Sequence, residues 1–240
     1  MRLSSDLAAV TQVGPLEPAE AETLGQNGYL LLRGVIPAAW REPLRGAFDA
    51  GELANDKWPV ARGHDWRHAL VDLDPTVQQV CRLPRLLAAM GCLLDGPFFL
   101  AQVEGREPRA GGGAQLPHRD GMERAPGDIV SALAFLDPYG PANGATEVTP
   151  GTHRGAGLEI TGDVRHPDAQ VLEGDAGDVL VFDANVLHGA TRNESGERRR
   201  SLLITFAVRR LWESFEQTRD LRAVRMDTRE LFEGPPRPGG

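Results

Sequence analysis

The chain has 240 residues, 41% of them hydrophobic and 25% charged, and its 26 Lys+Arg against 34 Asp+Glu give a net charge of −8. That acidic balance excludes a general affinity for nucleic acid, because no basic block tracks a phosphate backbone and residues 198–200 form the one dense cationic run. The longest apolar runs, such as residues 132–136, fall far short of the ~20 residues of a membrane span, and two cysteines, Cys81 and Cys92, are too few for a disulfide framework.

These features predict a cytoplasmic protein in a reducing compartment, with no membrane and no nucleic-acid partner. Residues 1–14 lack the apolar stretch of a secretory signal. Lys57 is the single lysine among 25 arginines, a bias that suggests a GC-rich bacterial source. The length suits one domain with a sizeable core, and no internal repeat is visible.

In chain order, the first half reads mainly helical. Pro18 opens a helix that leads into an extended segment at 28–35, and Pro37 opens a second helix through Phe48. A third, over 84–94, sets Leu86, Leu87, Met90 and Leu94 on one face at helical spacing. Residues 61–68 (ARGHDWRH) gather cationic, imidazole and indole groups. His64 and His68 stand i,i+4 like half a helical metal pair, but no Glu follows His64, so a second metal is not expected. From Phe98 onward, short β-rich runs alternate with Gly, Pro, Asn and Asp: 98–104, 129–136, 146–149, 170–172, 178–182 and 201–208. That spacing predicts an antiparallel sandwich or barrel with the helices outside it. Residues 109–115 (RAGGGAQ) read as a loop, since they lack dinucleotide-binding spacing. Residues 209–233 read as an amphipathic helical appendix, in which Trp212 and Phe215 cover the site, meet a second copy or join the core. The PPRPGG end has the composition of a disordered tail.

The chemistry starts at His118-Arg119-Asp120. In extended backbone, residues i and i+2 share a face, so His118 and Asp120 can point at one centre. One more imidazole would complete a 2-His-1-carboxylate triad, which holds Fe(II) and leaves positions open. His188, behind a strand and followed by Gly189, is the candidate. Eleven residues on lies Arg199, whose planar fork matches a carboxylate bidentately. Alternation groups Arg199 with Ser201, Leu203 and Thr205 on a mixed face, and Arg198 and Arg200 with the apolar face opposite. His153 reads as a structural turn residue and His166 as a loop residue.

Taken together, these stretches resemble the phytanoyl-CoA dioxygenase family of Fe(II)/2-oxoglutarate-dependent oxygenases. The resemblance runs from LEPAEAETLGQNGYLLLRGV (16–35) through Gln102, the H-x-D and NGATEVTPGTH (143–153) to 177–189 and 193–203. It implies a mostly β fold with flanking helices around a double-stranded β-helix (jelly-roll, cupin-like) core. The expected parts of that single domain are a helical portion at about 16–97, the jelly roll at about 98–208 and the appendix at 209–234.

By the same resemblance, His118, Asp120 and His188 would bind Fe(II), and Arg199 would clamp the distal carboxylate of 2-oxoglutarate, with Gln102 and Ser131 helping to hold that cosubstrate. O2 would be the second cosubstrate. Asp120, where halogenating relatives carry a small residue, implies hydroxylation or another C–H oxidation without halogen transfer. The substrate would be a small or mid-sized bacterial metabolite, plausibly of secondary metabolism, and oxidative cyclisation, epimerisation or desaturation would use the same site. A non-catalytic jelly-roll binding protein is the alternative from another class. Candidate substrate contacts are His64, Trp66, Arg67, Glu104, Arg106 and Arg119, and the protein is expected to act as a monomer or homodimer.

Overall fold

The computed structural model describes residues 16–121, 124–155 and 166–234. The leader at 1–14 and the PPRPGG end lie outside the described residues. Four α-helices and three short strands come first. Pro18 sits in the first turn of α1 (Pro18–Asn27), where Glu17 and Glu20 cap each other's backbone reciprocally. The helix stops at Gly28, whose left-handed φ of 77° and close approach to His153 (an added Cβ would lie 2.3 Å from Nδ1) leave room for glycine alone. There follow β1 (Tyr29–Leu32), α2 (Ala38–Gly51), β2 (Glu52–Leu53) and β3 (Trp66–Ala69). Asp74 then accepts from the amides of Thr76 and Val77 to start α3 (Pro75–Val80), and α4 (Pro84–Leu93) buries Leu86 and Met90 as its spacing predicts, together with Ala89, while Leu87 is partly buried.

The β region comprises β4 (Phe98–Pro108), β5 (Gln115–His118), β6 (Ile129–Phe135), β7 (Thr146–Thr149), β8 (Gln170–Val171), β9 (Val179–Asp183), β10 (Leu187–Ala190) and β11 (Ser201–Val208). They form two antiparallel sheets. The larger runs β1-β9-β6-β11-β4-β3-β2, with β12 (Leu231–Phe232) also on β4, and the smaller runs β5-β10-β7-β8. This is the jelly-roll core that the resemblance implies.

Alternation on the larger sheet explains where everything else sits. Ala132, Ala134, Val181, Leu202 and Ile204 face outward and pack with Leu24, Leu44, Phe48, Leu86 and Met90 of the helices. Leu133, Phe135, Leu180 and Phe182 face inward, toward the smaller sheet. Because both faces of these strands are covered, they read as nearly unbroken apolar runs.

The 61–68 stretch runs through a loop into β3, with His64 exposed and His68 buried. Two expectations need correction. The C-terminal appendix is helical only at α5 (Trp212–Gln217) and otherwise turns and short strand. Arg219 holds those turns by donating to the carbonyls of Val224, Arg225 and Met226, and Arg225 pairs with Asp72. Trp212 and Phe215 join the core, Phe215 edge-on to Phe99 at 5.8 Å between ring centroids. The helical half carries, besides the expected extended segment at β1, the strands β2 and β3, which extend the larger sheet. Both cysteines are free, and burial pushes the Cys81 thiol up to about 12. Among the described residues no helix is long and apolar enough to cross a membrane.

Candidate metal centre

β5 and β10 pair so that His118 stands directly opposite His188. Opposed residues of an antiparallel pair share a face and lie close, which brings the two rings to 4.3 Å between centroids. Asp120, two residues beyond His118, returns to the same side. Its Oδ1 is 3.6 Å from His118 Nε2 and its Oδ2 is 3.5 Å from His188 Nε2. The three candidate ligand atoms all lie within 4.8 Å of one another. Residues seventy positions apart thus meet because one strand pairing puts them there.

The local backbone fixes each ring. His118 Nδ1–H donates to the Leu116 carbonyl at 2.8 Å and His188 Nδ1–H to the Val186 carbonyl at 2.9 Å. A proton committed at Nδ1 leaves the Nε2 lone pair facing the carboxylate, the tautomer a metal ligand needs. Burial, then the neighbouring His188, lowers the pKa of His118 and keeps it neutral. Burial opposes ionisation of Asp120, but the hydrogen bond and charge of His188, then His118 and Arg106, outweigh it and hold its carboxyl below the usual range. Two imidazoles and one carboxylate on a single side form the donor set of an open divalent site.

Gly189 makes the approach possible. A Cβ there would sit 2.7 Å from the Gln115 carbonyl oxygen, where β10 meets β5 at an irregular register. Gly189→Ala should therefore push the His118 strand away from the His188 strand. A fall in Ni(II) affinity of roughly 10–100-fold by calorimetry, the size of an outer-partner effect, is the expected result.

Beyond the triad the two sheets enclose a cavity of about 110 Å³, bounded by Trp66, Arg106, Leu133, Phe182, Leu203 and Arg199 among others. Arg199 is 2% exposed, and no carboxylate of the described residues forms an ion pair with it. Its guanidinium carbon lies 4.3 Å from the Tyr139 ring centroid and 5.5 Å from that of Trp66. Arg199 Nε and the Tyr139 hydroxyl are both buried without a hydrogen-bond partner. Burial lowers the pKa of this guanidinium. Its neighbours differ sharply. Arg198 is forked onto Glu107 at 2.7 and 2.8 Å, and Arg200 onto Asp137 at 2.8 and 3.0 Å. The face assignment read from alternation is the one observed, and the cavity holds a charge that invites an anion.

The other sequence candidates divide. Trp66 and Arg106 line the cavity. Glu104 is buried behind them, bonded to Arg62 at 2.8 Å and Gln102 at 3.1 Å. Gln102 also accepts from Arg222, and Ser131 lies buried beside Phe182 in the pairing of β6 with β9, so neither side chain borders the cavity. Arg67 projects to the opposite face, toward Glu107 and Glu52, and His64 is exposed in its loop.

Arg119 does not line the cavity. It points away from the triad and donates to the carbonyls of Thr152 and Asn185. The period of two that unites positions 118 and 120 already sends 119 to the far side. Thr152 and Asn185 were not singled out by sequence. The Thr152 hydroxyl accepts from the Leu187 amide at 2.8 Å, and Asn185 is held by Asp183, so Arg119 ties the H-x-D turn to the approach of His188.

Comparison with known proteins fits this geometry. The sequence model of the family described as phytanoyl-CoA dioxygenase (PhyH) matches residues 24–201. The L-proline trans-4-hydroxylase of Streptomyces griseoviridis is 32% identical over 177 residues, which cover 58% of this chain and 65% of that protein. The matched stretch thus spans just under two thirds of that relative. Among solved structures, HygX from Streptomyces hygroscopicus with nickel and 2-oxoglutarate bound superposes with a TM-score of 0.68 at 17% identity, covering 81% of this chain and 88% of that one. The non-heme alpha ketoglutarate dependent epimerase SnoN from nogalamycin biosynthesis gives 0.65 at 21% identity, covering 85% and 84%. At such identities these two speak for the fold.

Proposed function

The chain belongs to the phytanoyl-CoA dioxygenase family, and from that premise we propose that it is a non-haem Fe(II)/2-oxoglutarate-dependent oxygenase that hydroxylates a C–H bond of a small bacterial metabolite. One observation carries the reading: a complete His118–Asp120–His188 triad and an unpaired, buried Arg199 face the same small cavity. When bound, Fe(II) with 2-oxoglutarate and O2 supplies the oxidising power for the C–H bond, and 2-oxoglutarate is converted to succinate and CO2 in the same turnover.

Everything else is positioning by the chain's own residues. The triad occupies one side of the centre and leaves the cavity side for ligands. Arg199 receives the distal carboxylate through its planar fork and so sets the direction in which the cosubstrate lies. Leu133, Phe182 and Leu203 wall the space between and exclude water. Gln102 and Ser131 stay in the proposal as supports of that inner face.

The names of the neighbours, a proline hydroxylase and an epimerase, mark the two ends of the chemistry this site can serve. The test is anaerobic addition of Fe(II) and 2-oxoglutarate, expected to raise a weak visible charge-transfer band. Succinate release is then measured across a metabolite panel headed by free L-proline. A product heavier by one oxygen atom supports hydroxylation, an unchanged mass epimerisation, and loss of two hydrogens cyclisation or desaturation. No band with both ligands present would favour a binding protein that retains the scaffold.

A further inference from the structure

Arg106 projects from β4, opposite Ser201, into the cavity that holds Arg199 and the triad. Its guanidinium carbon lies 5.1 Å from the Trp66 ring centroid, and the same indole lies under Arg199. Trp66 therefore carries two guanidinium groups in one lining. The acid nearest to Arg106 is Glu104, 3.7 Å from Nε, too long for a hydrogen bond, and Arg106 Nε is buried with no partner. Glu104 has already answered Arg62 and Gln102. His68 beside it cannot add an anion, and burial, then Arg106, Arg62 and Arg109, hold its pKa near 3, so it stays neutral.

Counting charge around the loaded site leaves one residue over. A divalent ion carries one positive charge beyond Asp120, which the C1 carboxylate of 2-oxoglutarate cancels. The distal carboxylate cancels Arg199, and Glu104 cancels Arg62. Arg106 remains, half-buried, with only the 3.7 Å contact to Glu104 to offset its charge. His118, Asp120 and Arg199 line the same cavity, which puts Arg106 within reach of whatever lies over the triad. Resting on the oxygenase reading above, we infer that Arg106 is the receptor for a free carboxylate of the organic substrate, so that the substrate class is small carboxylic acids, free amino acids included. Trp66 lies against the guanidinium, 5.1 Å from its carbon, and the planar fork is suited to two carboxylate oxygens.

The test uses the holoprotein, with Fe(II) and 2-oxoglutarate bound under nitrogen. The probes are the common L-amino acids, L-proline first, each as the free acid and as its carboxamide. Binding is read from the perturbation of the charge-transfer band and from calorimetry, neither of which requires turnover. At least one acid should bind at least about tenfold more tightly than its amide, as expected for a desolvated charge pair. Arg106→Gln should erase that preference while leaving the Fe(II) and 2-oxoglutarate affinities within about twofold, and Arg106→Lys, which keeps the charge, should restore part of it. Equal binding of acids and amides, or no acid perturbing the wild-type band, overturns the inference. Loss of 2-oxoglutarate binding in Arg106→Gln also overturns it, by assigning Arg106 to the cosubstrate, and leaves the oxygenase reading standing. Failure of the wild-type band to form before any probe is added strikes the oxygenase reading itself, and the inference falls with it.

Discussion

His118→Ala should abolish tight binding of a divalent ion while the protein stays folded. The side chain ends an edge strand and is about one third exposed, so its removal deletes one hydrogen bond to Leu116 and little packing. A net intramolecular hydrogen bond contributes about 1 kcal/mol, a small part of total stability. The metal loses one of three protein ligands, so the drop in affinity should exceed the roughly 10–100-fold typical of an outer partner. Calorimetry with Co(II) or Ni(II) measures it.

His188→Ala should lose the metal to the same degree but fold less well. Its ring is 8% exposed, lies 5.0 Å from that of Phe182 and helps fill the space between the sheets. Equal metal loss with unequal thermal stability is the signature of two ligands in different packing. Retained affinity in His118→Ala would take that residue out of the site.

The reason this candidate triad could be read from sequence, while the strand that carries His118 could not, lies in what each signal depends on. H-x-D spacing works through the two-residue period of extended backbone, a local property. The strand beneath it, QLPH, shows no apolar alternation because β5 is an edge with one neighbour. Its Leu116 is 59% exposed, and Pro117 is tolerated only where no ladder bond is required. By contrast β6, β9 and β11 are covered on both faces and announce themselves as apolar runs.

A charge pattern misled in one place. Residues 209–233 have the Arg/Glu content and spaced apolar residues of an amphipathic helix, yet Arg219 and Arg225 spend their donors on turn carbonyls and on Asp72, groups that no local pattern discloses. Long-range partners were the missing information. Which of three consecutive arginines turns inward was legible, because alternation alone decides it. That the outer two would find Glu107 and Asp137, and the inner one nothing, was not.

That last asymmetry yields the sharpest expectation for this chain. Arg199→Met should destroy 2-oxoglutarate binding and, at the same time, make the ligand-free protein more stable. A guanidinium buried without an acidic partner keeps its desolvation cost uncompensated. Replacing such buried charge with an apolar side chain of similar reach stabilises by about 1–4 kcal/mol in comparable cases, and each kcal/mol corresponds to about 2–4 °C in Tm for a chain of this size. Arg199→Lys keeps the charge but replaces the fork with a point donor, so the 2-oxoglutarate requirement should rise about tenfold or more.

Arg200→Met supplies the contrast. It leaves Asp137, 6% exposed, holding a charge whose main partner has gone, although Arg45 still reaches it at 3.0 Å. Breaking a buried pair from one side costs about 3–5 kcal/mol, so this variant should melt earlier yet bind 2-oxoglutarate normally once folded. Thermal melts and 2-oxoglutarate titrations on the two variants therefore move in opposite directions. If both variants fell in stability together, Arg199 would have a partner within the protein and its vacancy for a carboxylate would be lost. If Arg200→Met also weakened cosubstrate binding, the face of the strand that meets 2-oxoglutarate would be the one carrying Leu202 and Ile204.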